Sequence, residues 1–253
     1  MKNKKIKLAI SGANGRMGKI LIKEALKKNN IILSMMLVKE IKNNKKNIKE
    51  KIPTYTCLND KNKNFDVMID FSEKNNTMKN IKYCIKHKKN IVIGTTGFDE
   101  NQEKFIKLSS KKICIVKSSN FSTGINLIYF FLEKIQKNLI NEKITIKEEH
   151  HKNKKDSPSG TSIEFGKIIN KKLGKKTSKK EILKNKNINF ISTRFGNIIG
   201  NHTISFSNKN ETLKIKHVAK NRSIFAIGAI QSAIWSYKRK SGLFSMKNII
   251  KRK

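Results

Sequence analysis

The sequence predicts an α/β protein: a doubly wound parallel sheet, then a second α+β domain with a mixed sheet. Three observations carry this. Short apolar strands alternate with helix-length amphipathic stretches up to about residue 120. The strands in that half are apolar on both sides, as buried parallel strands are. After Asn120 the rhythm changes, and strands follow one another without helices between them.

The elements follow in order. Ile6, Leu8 and Ile10 alternate in a first strand, and a glycine-rich turn runs from Ser11 to Gly18. Residues 16–29 then place Ile20, Leu21, Glu24, Ala25 and Lys28 in a helical pattern. Residues 31–38 form the second strand, and 39–51 a polar surface excursion. Strands over 65–71, 90–94 and 113–116 enclose helices over 73–87 and 99–110.

A long helix is expected over 124–139 and a strand with one polar face over 143–149. A polar loop, 150–158, precedes a helix over 159–173, which Ser159 can cap without completing a capping box. Residues 175–186 are polar and peripheral. Segments 187–207 and 212–218 supply the remaining strands of a mixed sheet. The last helix spans 223–238, with Ile227, Ile230, Ile234 and Trp235 as its apolar stripe.

Composition bounds the function. At 253 residues the chain can bury roughly 70% of its extended surface and needs no staple. It carries 57 Lys plus Arg against 18 Asp plus Glu, a net charge of +39. Read literally, that charge describes a nucleic-acid binder. Only five of the 57 are Arg, however, and the Lys is spread along the whole chain beside 30 Asn. Dedicated binders concentrate charge and use Arg forks on base edges. The load is therefore compositional, of the kind a coding sequence rich in A and T produces, and no specific nucleic acid is expected. It still favours anions such as phosphorylated cofactors. Cys57, Cys84 and Cys114 are odd in number and lack metal-type spacing, which fits a reducing compartment. The apolar run behind the basic start ends at Gly12, too short for a signal peptide, and no run reaches the ~20 apolar residues of a membrane span. A cytoplasmic protein is expected.

Gly12, Gly15 and Gly18 form G-x-x-G-x-x-G between a strand and a helix. Small residues there allow a tight turn and let backbone approach a pyrophosphate, while the helix N-terminus presents free N–H groups. Arg16 adds charge in the first turn. This makes the first domain Rossmann-like. At the end of the second strand, Val38 offers no carboxylate for a ribose hydroxyl, whereas Lys39 suits a 2′-phosphate. NADPH is the preferred cofactor, with NADH possible through Glu40. Gly94-Thr95-Thr96 and Ser118-Ser119-Asn120-Phe121 both sit at carboxyl ends of strands, facing the ligand crevice of such a sheet.

The most distinctive run extends from Glu148 to Thr161 and holds two of the five histidines, His150 and His151. Neighbouring histidines without a third ligand do not make a metal site, and none is expected. Pro158-Ser159-Gly160-Thr161 builds a turn opening onto a helix, whose N–H groups can clamp a carboxylate. Lys152, Lys154 and His151 can supply countercharge, and His150 or Lys154 can donate a proton after hydride arrival.

At these residues the chain resembles the dihydrodipicolinate (4-hydroxy-tetrahydrodipicolinate) reductase family. The shared stretches are GANGRMG at 12–18, Asp70-Phe71, GTTGF at 94–98, NFS at 120–122 and HHKNKKDSPSGT at 150–161. They continue through Gly200, His202, Thr203, His217 and Arg222 to Ser241-Gly242-Leu243-Phe244. The resemblance implies reduction of a cyclic dicarboxylate by NADPH or NADH, with loss of water, in lysine and diaminopimelate synthesis. It implies His150 as proton donor or acceptor and Lys154 as proton donor. His151, Gly160, Thr161 and Arg222 become substrate-binding. Gly12, Ala13, Asn14, Gly15, Arg16, Met17, Lys39, Gly94, Thr95, Thr96, Ser118, Ser119, Asn120 and Phe121 become cofactor-binding. It further implies a nucleotide domain at 1–120, a substrate and oligomerisation domain at 121–219, a tail at 220–253 returning to the first domain, and a homotetramer. Departures from the family pattern are Val38, Asn189, Asn201 and a shortened 175–189 segment. A nucleic-acid module and a regulatory NADPH-binding protein without chemistry are the rival readings; reductase turnover separates them from an enzyme.

Overall fold

A computed structural model describes residues 4–41, 52–135, 142–170, 182–184 and 187–250. Most of the 39–51 excursion and of the 175–186 segment lies outside them, as do the expected helix ends at 136–139 and 171–173. The chain forms two compact units, Met1–Ser122 with Ser223–Lys253, and Thr123–Arg222.

The first unit holds a parallel sheet of seven strands: β1 (Ile6–Ser11), β2 (Ile31–Leu37), β3 (Thr54–Tyr55), β4 (Val67–Asp70), β5 (Asn90–Ile93), β6 (Cys114–Lys117) and β11 (Gly242–Phe244). Their order is β11-β6-β5-β4-β1-β2-β3. The chain winds outward from β1 in one direction through β2 and in the other through β4, so the switch point lies between β1 and β4. Leu37, Ser11, Asp70 and Ile93 are level in register, with Lys117 beside Ile93. The carboxyl ends of five strands thus finish in one line, where such sheets bind ligands. Between Leu8 and Ala9 the register against β2 slips by one residue. Ser34 is the extra residue, and its hydroxyl donates to the Leu8 carbonyl at 3.1 Å.

Side-chain alternation sorts the core into two layers. Leu8, Ile10, Ile69, Val92 and Val116 face one way, with Leu21 and Ala25 of α1 (Arg16–Leu26) and Ala229 and Ile230 of α6 (Ser223–Ser236). Ala9, Met68, Ile91 and Ile115 face the other, with Ile81 of α2 (Lys74–Lys86) and Ile106 of α3 (Glu100–Ser109). Each fully buried Leu or Ile contributes about 1.5–3 kcal/mol relative to exposure. Asp99 caps α3 through a complete capping box with Gln102.

The expected α/β class holds, with corrections. The buried face of α6 is Ala226, Gly228, Ala229, Ile230, Ser232, Ala233 and Ser236; of the expected stripe, Ile230 is buried, Ile234 and Trp235 are half-buried against the core, and Ile227 is half-buried. Small residues let the helix approach closely: a Cβ on Gly228 would lie 1.9 Å from the Phe121 carbonyl oxygen. The short strands β3 and β11 and the helix α7 (Met246–Ile250) carry too few residues to show a period.

The second unit has a mixed four-stranded sheet of β7 (Lys143–His150), β8 (Ile188–Arg194), β9 (Asn201–Ser207) and β10 (Thr212–Val218), in the order β10-β9-β7-β8. Only β7 and β8 are parallel. Ile144, Ile146, Ile188, Ile204 and Phe206 pack with Ile125, Tyr129 and Leu132 of α4 (Thr123–Ile135) and Phe165 and Ile168 of α5 (Gly160–Ile169). Strand β7 runs one residue past the expected 143–149, so its inward set is Ile144, Ile146, Glu148 and His150.

Candidate active site

The first cluster of candidate residues lies along the carboxyl ends of the first unit's strands. Gly12 has φ +79°, and a Cβ there would meet the Phe71 carbonyl oxygen at 2.5 Å. The N–H groups of Gly12 and Ala13 both donate to the Leu37 carbonyl, at 3.1 and 3.0 Å. Gly15 is the N-cap of α1 and has no side chain with which to bond the first-turn N–H groups. A Cβ on Gly18 would lie 2.1 Å from the Gly12 carbonyl oxygen, so helix and turn touch only because position 18 is glycine. Ala13 is buried, Met17 half-buried, and Asn14 and Arg16 are exposed. Lys39 is exposed just past β2, and the Asn14 amide reaches the neighbouring Glu40 carbonyl at 3.5 Å.

Asp70, fully buried at the end of β4, ties the strand ends together. It accepts from the Ser72 N–H at 2.8 Å and from the Asn80 amide at 2.9 Å; that amide also donates to Ser11 at 2.9 Å. Thr95 reaches Asp70 at 3.4 Å. The Phe71 ring lies against Gly94, where a Cβ would come within 2.2 Å of it, and packs at 5.7 Å on Phe121. The Ser118 hydroxyl donates to the Asn120 carbonyl at 2.8 Å. A pocket of about 460 Å³ opens among Thr95, Thr96, Lys117, Ser118, Ser119 and Phe244.

The second cluster belongs to the other unit and is built around Glu148. This carboxylate, 1% exposed, accepts from the Ser159 N–H at 3.0 and 3.1 Å and from the Ser192 hydroxyl at 3.0 Å. The Ser162 hydroxyl and the Arg194 guanidinium complete its partners. Burial pushes the carboxyl up, but the hydrogen bonds from Ser159, Ser162 and Arg194 outweigh it and bring it down to about 2. Register explains the cluster: Glu148 pairs with Ser192 on one side and His202 on the other, and His202 with His217.

His150 lies one inward position further along β7 and is 7% exposed. Its Nδ1 is 3.3 Å from the Ile199 carbonyl oxygen, and its Nε2 is 3.8 Å from Glu148. Its ring meets that of His202 edge-on at 5.1 Å, and a Cβ on Gly200 would press within 2.8 Å of it. Burial, with Lys154 nearby, lowers the His150 pKa against the pull of Glu148. Burial, with His150 beside it, takes His202 down to about 3.

Lys154 binds Asp156 at 2.7 and 2.9 Å. Ser159 caps α5 by accepting from the Ser162 N–H at 3.3 Å. Gly160 is exposed as the first residue of α5, and Thr161 behind it is buried, with the Tyr129 hydroxyl 3.5 Å from its carbonyl. His151 and Arg222 are half-buried.

Sequence alone assigns no role to Glu148, Ser192, Arg194 or His202. Alternation on β7 could have found Glu148, since it shares parity with Ile144 and Ile146; pairing to β8 and β9 could not be read from one chain. Glu148, His150 and His202 bring ligand-type atoms within 4.8 Å of one another. The Glu148 oxygens are already engaged by an Arg and three Ser donors, which describes a hydrogen-bonded core rather than a metal cage.

Two family models match this chain: "Dihydrodipicolinate reductase, N-terminus" over residues 6–121 and "Dihydrodipicolinate reductase, C-terminus" over 124–250. The 4-hydroxy-tetrahydrodipicolinate reductase of Buchnera aphidicola subsp. Cinara cedri is 47% identical, over 100% of this chain and 99% of that protein. The one from Pelagibacter ubique is 42% identical, over 98% of each. A dipicolinate-bound dihydrodipicolinate reductase from Paenisporosarcina sp. TG-14 shares the fold, with a TM-score of 0.76 at 23% identity, covering 97% of this chain and 99% of that one.

Proposed function

This chain belongs to the dihydrodipicolinate reductase family, and from that membership we propose which of its residues carry the reaction. The activity is the NAD(P)H-dependent reduction of 4-hydroxy-tetrahydrodipicolinate to tetrahydrodipicolinate, with loss of water, in diaminopimelate and lysine biosynthesis. A bound reduced nicotinamide supplies the hydride.

The cofactor assignment rests on the cradle at Gly12 and Gly18, where any Cβ would fill the space the backbone uses. Gly12 to Met17 form the pyrophosphate site; the N–H groups of Gly12, Ala13 and Gly15 are engaged within the turn and by Leu37, so the contact falls to the first-turn N–H groups of α1, with Arg16 adding charge. Lys39 takes the 2′-phosphate, which makes NADPH the preferred donor. Gly94 to Thr96 and Ser118 to Phe121 orient the nicotinamide.

Residues 121–219 form the substrate and oligomerisation domain in this reading. His151, Arg222 and the Gly160–Thr161 end of α5 grip the two carboxylates of the cyclic substrate. Charge fixed before reaction avoids reorganisation as electron density builds in the ring. His150 and Lys154 handle the proton. The Ile199 carbonyl beside Nδ1 selects the Nδ1–H tautomer, which leaves Nε2 of His150 as the atom that takes up or releases a proton. That buried Nε2, with no hydrogen-bond partner among the described residues, is the observation that carries the assignment. The protein acts in the cytoplasm as a homotetramer, assembled through the sheet face that bears Lys147, Thr203 and Lys216.

Oxidation of NADPH and NADH with the freshly generated product of the preceding synthase tests the reading. Turnover with both, faster at low NADPH, is expected. Cofactor binding without turnover on that substrate would replace the enzyme with a regulatory binding protein.

A further inference from the structure

The assignments above leave the most heavily bonded group in the second unit without a part in the reaction. Glu148 receives donors from two separate segments: Ser159 and Ser162 at the start of α5, and Ser192 and Arg194 on β8. Arg194, through the same Nη2 that meets Glu148, also donates to the Asp156 carbonyl at 2.7 Å. One ion pair therefore holds both ends of a short turn. Arg194 fixes the carbonyl of 156, and Glu148 fixes the N–H of 159. Lys154 lies just before that turn, and Gly160 and Thr161 just after it.

We propose that the Glu148–Arg194 pair is the positioning unit of this reductase. It sets the 156–159 turn so that Lys154 and the N-terminus of α5 address one dicarboxylate, and it stands a fixed anion behind Nε2 of His150. The proposal rests on the assignment of His150, Lys154, Gly160 and Thr161 to the substrate site.

Two physical arguments favour positioning over simple stabilisation. A buried ion pair returns little net stability, because desolvation of both charges offsets their attraction; what it specifies well is geometry. The planar guanidinium of Arg194 holds three acceptors at fixed angles, the Glu148 carboxylate and the Asp156 carbonyl through Nη2 and the Thr193 carbonyl through Nη1 at 2.9 Å, which a point charge cannot reproduce. The charges around His150 are also unequal in kind. Glu148 on β7 is the anion facing it; Arg194 on β8 and Lys154 in the loop are cations; His202 on β9, with its pKa far below neutral, carries no charge at pH 7. Glu148 is thus the group that makes a protonated His150 tolerable.

The test uses the full-length protein with Glu148→Gln and Arg194→Lys, and dipicolinate as a planar dicarboxylate probe. Three quantities are read: dipicolinate and NADPH affinity, substrate KM against kcat, and the His150 titration by NMR of labelled histidine. In Glu148→Gln the His150 pKa should fall by about one unit, the effect of removing a charge about 4 Å away. Dipicolinate affinity should weaken about tenfold or more in both variants, as expected when a buried donor or acceptor loses its partner. NADPH affinity should stay within about twofold, a change below ~0.5 kcal/mol. A role in stability alone would leave dipicolinate affinity and KM unchanged in the folded variants. Should Glu148→Gln fail to fold, Arg194→Lys carries the test through dipicolinate affinity and KM, because it keeps the charge and removes only the fork. Wild-type dipicolinate affinity and KM in either folded variant would overturn the proposal. If dipicolinate leaves His150 and residues 154–161 undisturbed in the wild-type protein, the site assignment falls, and the proposal with it.

Discussion

The ammonium of Lys154 sits against both carboxylate oxygens of Asp156, at 2.7 and 2.9 Å, two residues along the same loop. Burial tends to raise the Asp156 carboxyl, but its bond to Lys154 lowers it, so the pair is ionic. In the proposed site, a substrate carboxylate would compete with Asp156 for a cation already held in place. If Lys154 has both proposed roles, replacing it by Met removes the carboxylate contact and the proton together. Steady-state kinetics should show kcat down about 100-fold and substrate KM up about tenfold. Wild-type values for both would refute both roles.

His150→Gln keeps roughly the size of the side chain and removes the Nε2 proposed to take up or release the proton. Turnover should drop by about 100-fold or more, while NADPH affinity stays within about twofold. Cofactor titration by fluorescence separates the two. A loss of NADPH affinity as large as the loss of turnover would count against a proton-transfer role.

Lys39 is exposed at the carboxyl end of β2, and Val38 before it offers no carboxylate. Lys39→Ala should weaken NADPH about tenfold, as for a charge-assisted hydrogen bond of about 1.5 kcal/mol, and leave NADH nearly unchanged. Affinities that fall equally for both nucleotides would reject the phosphate role.

Gly228 faces the Phe121 carbonyl so closely that a Cβ would lie 1.9 Å from the oxygen. Backbone cannot yield as a flexible side chain can, so Gly228→Ala should cost about 1–3 kcal/mol and lower the melting temperature by several degrees. An unchanged melting curve would mean that α6 shifts freely on the sheet.

These residues show where sequence was informative and where it was not. The parallel sheet was readable because strands such as Ile91–Ile93 and Cys114–Val116 are apolar on both faces, and the glycine turn because a strand precedes it and a helix follows. The loop from His150 to Thr161 was readable as a run of chemically dense residues. The burial of Glu148 is not readable from its own strand, since it depends on donors that arrive from α5 and β8, over 40 residues away along the chain for Arg194. The α6 face is only partly legible for a related reason. Large residues dominate a periodicity count, whereas close helix packing on the sheet selected Ala and Gly.

The same buried network fixes how stability depends on pH. His202 drops from its ordinary 6.5 to about 3 because burial disfavours its charge, and His150 and His217 are also lowered by burial. Between 6.5 and the lowered values the unfolded chain binds protons that the folded one does not, so falling pH favours unfolding in that window. Glu148 acts in the same direction lower down. Its stabilising contribution is complete above the ordinary 4.5 and is lost as pH falls towards 2. The melting temperature should therefore decline in two stages, one beginning near pH 6.5 and one near 4.5. The net charge of +39 adds a repulsive decline of its own as carboxylates protonate, so the comparison that isolates the histidine is wild type against His202→Gln. The variant should lose less of its melting temperature than wild type between pH 6.5 and pH 4. Parallel curves for the two proteins would show that His202 titrates alike in the folded and unfolded states, and that the cluster around Glu148 does not exclude its proton.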